Sequence, residues 1–296
     1  MPSTREIRRR IKSVKNIAQV TRTMQMVASS KMRRAQERVQ QSRPYSEQLR
    51  ALVSRLARVT GEDVGGEIAL LKQRPVRRIG FVVITPDRGL SGALPSNVNR
   101  KAATTAIEEQ NRFAQQGERP AVDYVVVGRK GRDFVLRSQL HMIAEFTNYG
   151  DRPSLTDAAA IAQVAVDAFL RGEVDVVYLV YPRFINTVTQ QPVSIQLLPV
   201  LPPAEQAGES TTVEYIYEPD AASIYEALLP RYVDVQVYQA LLETIASFYS
   251  AQMVAMKNAT DNANELVQDL TLTYNKARQA SITTEILEVV GGAQAL

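Results

Sequence analysis

Gly89-Leu-Ser-Gly92 follows the β-branched run Arg78–Thr85 (RIGFVVIT), which is where a doubly wound α/β protein places a phosphate loop. Gly128-Arg-Lys-Gly131 occupies a second strand-to-helix turn, and its two cations would suit an anion at a helix N-terminus. Neither run is G-x-G-x-x-G, and G-x-x-x-x-G-K-[ST] occurs nowhere, so both also read as tight turns, the second with a solvated basic tip. His141 is the only histidine, which leaves no multi-histidine metal site, and Ser91 has no histidine base near it in sequence. No pair of carboxylates is spaced for acid–base work. The chain has no cysteine, which excludes disulfides, iron–sulfur clusters, thiolate zinc and thiol redox switches. The residue types call for no cofactor and form no recognisable active site.

These turns need a scaffold, and the middle of the chain supplies its punctuation. Twelve of the fourteen glycines lie between Gly61 and Gly208. Arg78–Thr85, Val122–Val127 (VDYVVV) and Val174–Tyr181 (VDVVYLVY) read as buried strands, and Val193–Leu201 and Thr212–Tyr217 as further extended segments. Helices are expected over Pro95–Gln115, Arg129–Gln139 and from an N-cap at Ser154 to Arg171. Strands alternating with helices predict a small, largely parallel sheet covered by helices, a central Rossmann-like α/β domain over residues 75–218. Pro199, Pro202, Pro203, Gly208, Pro219 and Pro230 mark the exit from it.

The flanks are of a different kind. Sixty consecutive residues, Arg231–Val290, contain neither glycine nor proline. Tyr232, Val235, Tyr238, Leu242, Ile245, Tyr249, Met253, Met256, Ala263, Leu266, Leu270, Tyr274, Ala277 and Ser281 follow mostly three- and four-residue steps, the spacing of a coiled-coil seam. Sixty helical residues rise about 90 Å, too long for a compact domain of this size, so much of the helix is expected to project. From Ser3 to Arg43 a second seam recurs at Ile7, Ile11, Val14, Ala18, Thr21, Met24, Ala28, Met32, Ala35 and Val39, with a continuation at Leu49, Leu52, Val53 and Leu56 beyond a kink at Pro44. Residues 1–50 carry thirteen Lys or Arg against three Asp or Glu, and residues 210–296 carry four against eleven. Balances of +10 and −7 on matching seams predict that segments 1–60 and 220–296 pair as a long antiparallel coiled coil.

Over all 296 residues the net charge is +4, with 45% hydrophobic and 22% charged side chains, ordinary for a folded soluble protein. The opening MPSTREIRRRIKSVK lacks a signal-peptide core and no apolar run reaches the ~20 residues of a membrane span, so a cytoplasmic location is expected. Arg8, Arg9, Arg10, Lys12, Lys15 and Arg22 share a helix with an apolar seam and have no interleaved aromatics. That favours an acidic protein partner over nucleic acid.

The opening EIRRRIKSVKNIAQVTRTMQMVASSKMRRAQ (6–36) and the ending MKNATDNANELVQDLTLTYNKARQASITTEILEVVGGAQAL (256–296) resemble the terminal helices of the γ subunit of F-type ATP synthase. Asp87-Arg-Gly-Leu-Ser-Gly92, Phe184-Ile-Asn-Thr187 and Leu228-Leu-Pro-Arg-Tyr232 match motifs of that family in the same order. The resemblance implies a non-catalytic rotor, the central stalk that couples proton flow through the c-subunit ring to ATP synthesis or hydrolysis on the β subunits. Its implied partners are the α and β subunits of the catalytic hexamer, the ε subunit and the c-ring, with the complex on the cytoplasmic face of the bacterial plasma membrane. It further implies that Met24 lies near the lever of β and that Arg278, Gln279 and Thr283 face a β loop, while the basic charge of the first helix leads to the expectation that Lys31, Arg33 and Arg34 meet acidic levers of β. For Met24, seam packing explains the residue equally well. Gln252 stands where many relatives carry arginine, and Ser91 where many carry cysteine. The alternative reading is a nucleotide-binding α/β enzyme with a coiled-coil arm.

Overall fold

A computed structural model describes residues 3–65, 68–115, 117, 119–201, 218 and 220–294. They form two compact units, one from residues 1–30 with 252–296, the other from 31–251.

The larger unit holds the sheet. Its elements are β1 (Arg78–Ile84), α2 (Leu94–Ala114), β2 (Ala121–Val127), α3 (Arg129–Arg137), β3 (His141–Phe146), α4 (Leu155–Leu170), β4 (Val176–Phe184) and β5 (Gln190–Leu198), between α1 (Thr4–Gly65) and α5 (Ala221–Gln294). The strand order is β3-β2-β1-β4-β5, with β1, β2, β3 and β4 parallel and β5 antiparallel to β4. The chain winds outward from β1 to β3, then crosses back through α4 to β4.

Alternation along the strands assigns each side chain to one of two cores. Val82, Ile84, Val125, Val127, Val177 and Leu179 meet Ile161, Ala165 and Phe169 of α4, Val53 and Leu56 of α1, and Tyr225, Leu229 and Val237 of α5. On the other face, Ile79, Phe81, Val83, Tyr124, Val126 and Tyr178 meet Val98, Ala102 and Ala106 of α2 and Val135 of α3. Covering on both faces explains why β1 from Ile79 and β2 from Tyr124 read as unbroken apolar runs. At Ser154 the expected cap is a capping box, in which Ser154 Oγ accepts from Asp157 N and the Asp157 carboxylate accepts from Ser154 N.

The expectations for strands and helices hold within a residue or two at most boundaries. β3 is an addition, since HMIAEF carries a histidine and a glutamate on a partly exposed edge and lacks the signature of a buried strand. Pro230 is a correction. It lies inside α5, about two and a half turns past the start at Ala221 and near fully buried Leu229 and Val233, whose packing on the sheet holds the helix through it. Pro44 likewise lies inside α1. The segment read as extended over Thr212–Tyr217 lies outside the described residues.

Within this unit α1 and α5 run antiparallel, since Lys31 bonds Tyr249, Ser42 bonds Gln239 and Tyr45 bonds Arg231. The α1 seam is buried at Ala35, Val39, Leu49, Val53 and Leu56, whereas Leu52 is exposed, one position off the stripe. Every residue of α5 from Ala240 to Ser250 is buried.

In the smaller unit, Ile7, Ala18 and Ala28 of α1 and Met256, Thr260 and Ala263 of α5 are buried, and the hydroxyls of Thr21 and Thr260 lie 2.7 Å apart. Val267 takes the seam place where Leu266 was expected, Thr260 fills the gap between Met256 and Ala263, and Leu266 and Ser281 are exposed. Counting equal steps from the threonine pair sets Ile7 opposite Tyr274. Beyond Ala277 every described α5 side chain is exposed. Among the described residues no helix is long and apolar enough to cross a membrane.

Candidate functional site

The crevice at the carboxyl ends of β1, β2 and β3 is where a fold of this winding binds nucleotide. Here the chain's own groups occupy part of it. Asp87, just past β1, accepts hydrogen bonds from Arg129 N and Asn148 N, both at 3.0 Å, so its carboxylate takes an amide at the start of α3 that an anion would use. Gly128 (φ 93°) packs directly on Thr85, where a Cβ would fall on the Thr85 carbonyl oxygen. Gly131 donates to Thr85 Oγ1 at 2.8 Å. The Gly128–Gly131 run is therefore shaped for close helix–strand packing. Arg129 bonds Asn148 at 2.6 Å rather than standing open. Tyr149 donates to Thr85 O, and its phenol is pushed far up by burial and then by Asp87. A cavity of about 330 Å³ remains, walled on one side by Thr244, Ile245, Phe248 and Tyr249 of α5.

Next to that cavity is a charged cluster that sequence reasoning missed. Asp151, in the turn before α4, accepts from Lys31 Nζ at 2.6 Å and from Tyr249 Oη, and its carbonyl accepts from Arg38 Nη1 at 3.0 Å. Burial pushes the Asp151 carboxyl up, but hydrogen bonds from Lys31 and Tyr249 and the charges of Lys31 and Arg88 outweigh it and hold it below the usual range. One loop residue thus ties both long helices to the α/β domain. Its only signal in the sequence is an acidic residue in a Gly-Asp turn, too common to single out.

The expected contact residues fall in two groups. In the larger unit, Lys31 points to Asp151, while Arg33 is exposed and 3.5 Å from Glu37, and Arg34 is exposed beside Asp151 and Arg38. In the smaller unit, Met24 is half-buried at a seam position. Arg278, Gln279 and Thr283 are exposed on α5, with Thr283 Oγ1 donating to the Gln279 carbonyl at 2.9 Å. Ile282, Ile286, Leu287, Val289 and Val290 are exposed on the same stretch. A bare apolar helix end of this kind has no core to join among the described residues.

The family model described as ATP synthase matches residues 3–296. The chain is 50% identical over 298 residues to the ATP synthase gamma chain of Roseiflexus castenholzii, covering 100% of this chain and 99% of that one. It is also 50% identical to the gamma chain of Dehalococcoides mccartyi over the full length of both. The chain belongs to the ATP synthase γ-chain family. A γ chain is a non-catalytic subunit of that enzyme, and its role is that of the central-stalk rotor. The fold agrees. A chain of the Tetrahymena thermophila mitochondrial ATP synthase central stalk and c-ring matches with TM-score 0.56 at 25% identity, over 81% of this chain and 99% of that one. A chain of the Euglena gracilis mitochondrial ATP synthase matches with TM-score 0.64 at 21% identity, over 99% and 94%. As a γ chain, the protein has a nucleotide-type crevice in which its own Asp87 takes the Arg129 and Asn148 amides.

Proposed function

We propose that this γ chain couples proton flow through a c-subunit ring to ATP synthesis and hydrolysis on the β subunits of an αβ hexamer. The observation that carries the reading is the uncovered end of α5, where five large apolar side chains between Ile282 and Val290 are exposed beyond the last seam residue. Burying each in a collar would stabilise an assembly by about 1.5–3 kcal/mol, so the stretch suits a sleeve of α and β subunits. Arg278, Gln279 and Thr283 share that stretch and make the directional contacts to a β loop, with Met24 near the β lever. Lys31, held by Asp151, fixes the turn of α1 from which Arg33 and Arg34 face acidic levers of β. The α/β domain takes the ε subunit and the c-ring, which sets the complex at the cytoplasmic face of the plasma membrane. Two helices of unequal charge make the shaft asymmetric, so each orientation presents a different face to each β site.

The chain has no cysteine, so a single one placed at exposed Arg100 on α2 takes a bead specifically. In a complex assembled with α and β, ATP is expected to turn that bead continuously in one direction. Hydrolysis with a stationary bead would refute the coupling.

A further inference from the structure

β4 runs to Phe184, but its pairing with β1 stops at Val180, close to the end of β1 at Ile84. Pro182 and Phe184 lie two apart, so their backbone groups face the same edge, past the last residue of the neighbouring strand. Side chains of α5 supply the partners. Ser247 Oγ donates to Pro182 O at 2.9 Å, and Phe184 N donates to Glu243 Oε2 at 3.3 Å. At the following turn, Ser250 Oγ donates to Thr187 O at 2.5 Å and accepts from Gln190 Nε2 at 3.3 Å. Glu243, Ser247 and Ser250 stand at steps of four and three, one stripe of the helix, and all are buried within the wholly buried stretch Ala240–Ser250.

Alanine at 247 or 250 would pack there as well, so packing alone does not account for the polar stripe. Apolar contact is non-directional. Hydrogen bonds weaken steeply with angle, and a buried donor or acceptor left without a partner is costly. Turning α5 about its axis by one row of side chains would strip all of these groups together.

We propose that Glu243, Ser247 and Ser250 are the positioning residues that hold α5 in rotational register with β4 and the β4–β5 turn, so that torque passes from the α/β domain into the shaft helix. The proposal rests on the coupling reading above. Its test is the torsional stiffness of the assembled complex, read as the angular variance of a bead on Arg100→Cys while a non-hydrolysable nucleotide stalls rotation. The triple variant Glu243→Leu/Ser247→Ala/Ser250→Ala is expected to widen that variance by about twofold or more, since several directional bonds go at once. Glu243→Gln keeps an oxygen for the Phe184 amide and is expected to keep the parental variance. So is Thr244→Val, equally buried but, among the described residues, bonded only to its own helix at Ala240. Should the triple variant fail to assemble, Ser247→Ala/Ser250→Ala is read the same way. Parental variance in the triple or double variant, or equal widening in Thr244→Val, overturns the proposal. The two readings fail separately, because a parental complex that hydrolyses ATP without turning its bead defeats the coupling, while variance is measured in the stalled state.

Discussion

Replacing Asp151 by alanine removes the acceptor shared by Lys31 Nζ and Tyr249 Oη but leaves the backbone carbonyl that Arg38 uses. Hydrogen bonds to a charged group contribute about 1.5–3 kcal/mol each when buried, and exposed ion pairs only about 0.2–1. The Asp151 side chain is 42% exposed and that of Lys31 31%, which places their bond near the lower range. Tyr249 is 3% exposed, so its hydroxyl loses a partner water does not readily replace. The expected loss is about 1–2 kcal/mol, which at an m-value of about 2 kcal/mol/M lowers the urea midpoint by about 0.5–1 M. The measurement is urea unfolding of the full chain followed by tyrosine near-ultraviolet dichroism. Its pH dependence carries a sign. The folded carboxyl titrates below the unfolded value of about 3.9, so its contribution is complete above that pH and disappears as pH falls through the lower, folded pKa. The gap between parent and variant should thus be level from neutral pH to about 5 and close in stronger acid. A double-mutant cycle with Lys31→Met isolates the pair. Strict additivity, or a gap that widens in acid, would refute the reasoning.

Replacing Arg33 or Arg34 singly by alanine should change ATP-driven proton pumping in reconstituted vesicles very little, because exposed pairs contribute so little and salt screens them, whereas reversing the charge at both should uncouple hydrolysis from pumping. Substituting Arg278 and Gln279 together by alanine should lower the ATPase rate of the assembled complex several-fold, and a parental rate would remove that contact from the mechanism. Gly128→Ala should cost more than about 3 kcal/mol, since the new methyl meets main chain at a positive φ, and is expected as a large fall in thermal midpoint or in folded yield.

Much of this architecture could be read directly from residue spacing. The α1 seam from Ile7 to Val39 is buried or half-buried at every expected position, because a two-helix seam imposes its period on the sequence. α5 was harder. Between Ala240 and Ser250 it is covered on all sides, so no stripe separates inside from outside, and Glu243, Ser247 and Ser250 look like surface residues in a pattern that is really core. β3 escaped because an edge strand need not be apolar, and Pro230 misled because propensity yields to burial. The proposed contacts of Met24, Arg278, Gln279 and Thr283 rest on family resemblance, since a half-buried seam methionine or an exposed polar side chain carries no mark of a partner. Asp151 and Asp87 act through loop geometry, which spacing does not encode.

The carboxylate of Asp87 has a consequence for the motor as a whole. A rotor works beside sites that bind and release nucleotide at every turn. Had its own crevice kept open amides, nucleotide would settle there and the stiffness of the transmission would vary with cellular energy supply. With a built-in anion seated on Arg129 N and Asn148 N, those two donors are already taken, and the transmission withholds them from the fuel it handles.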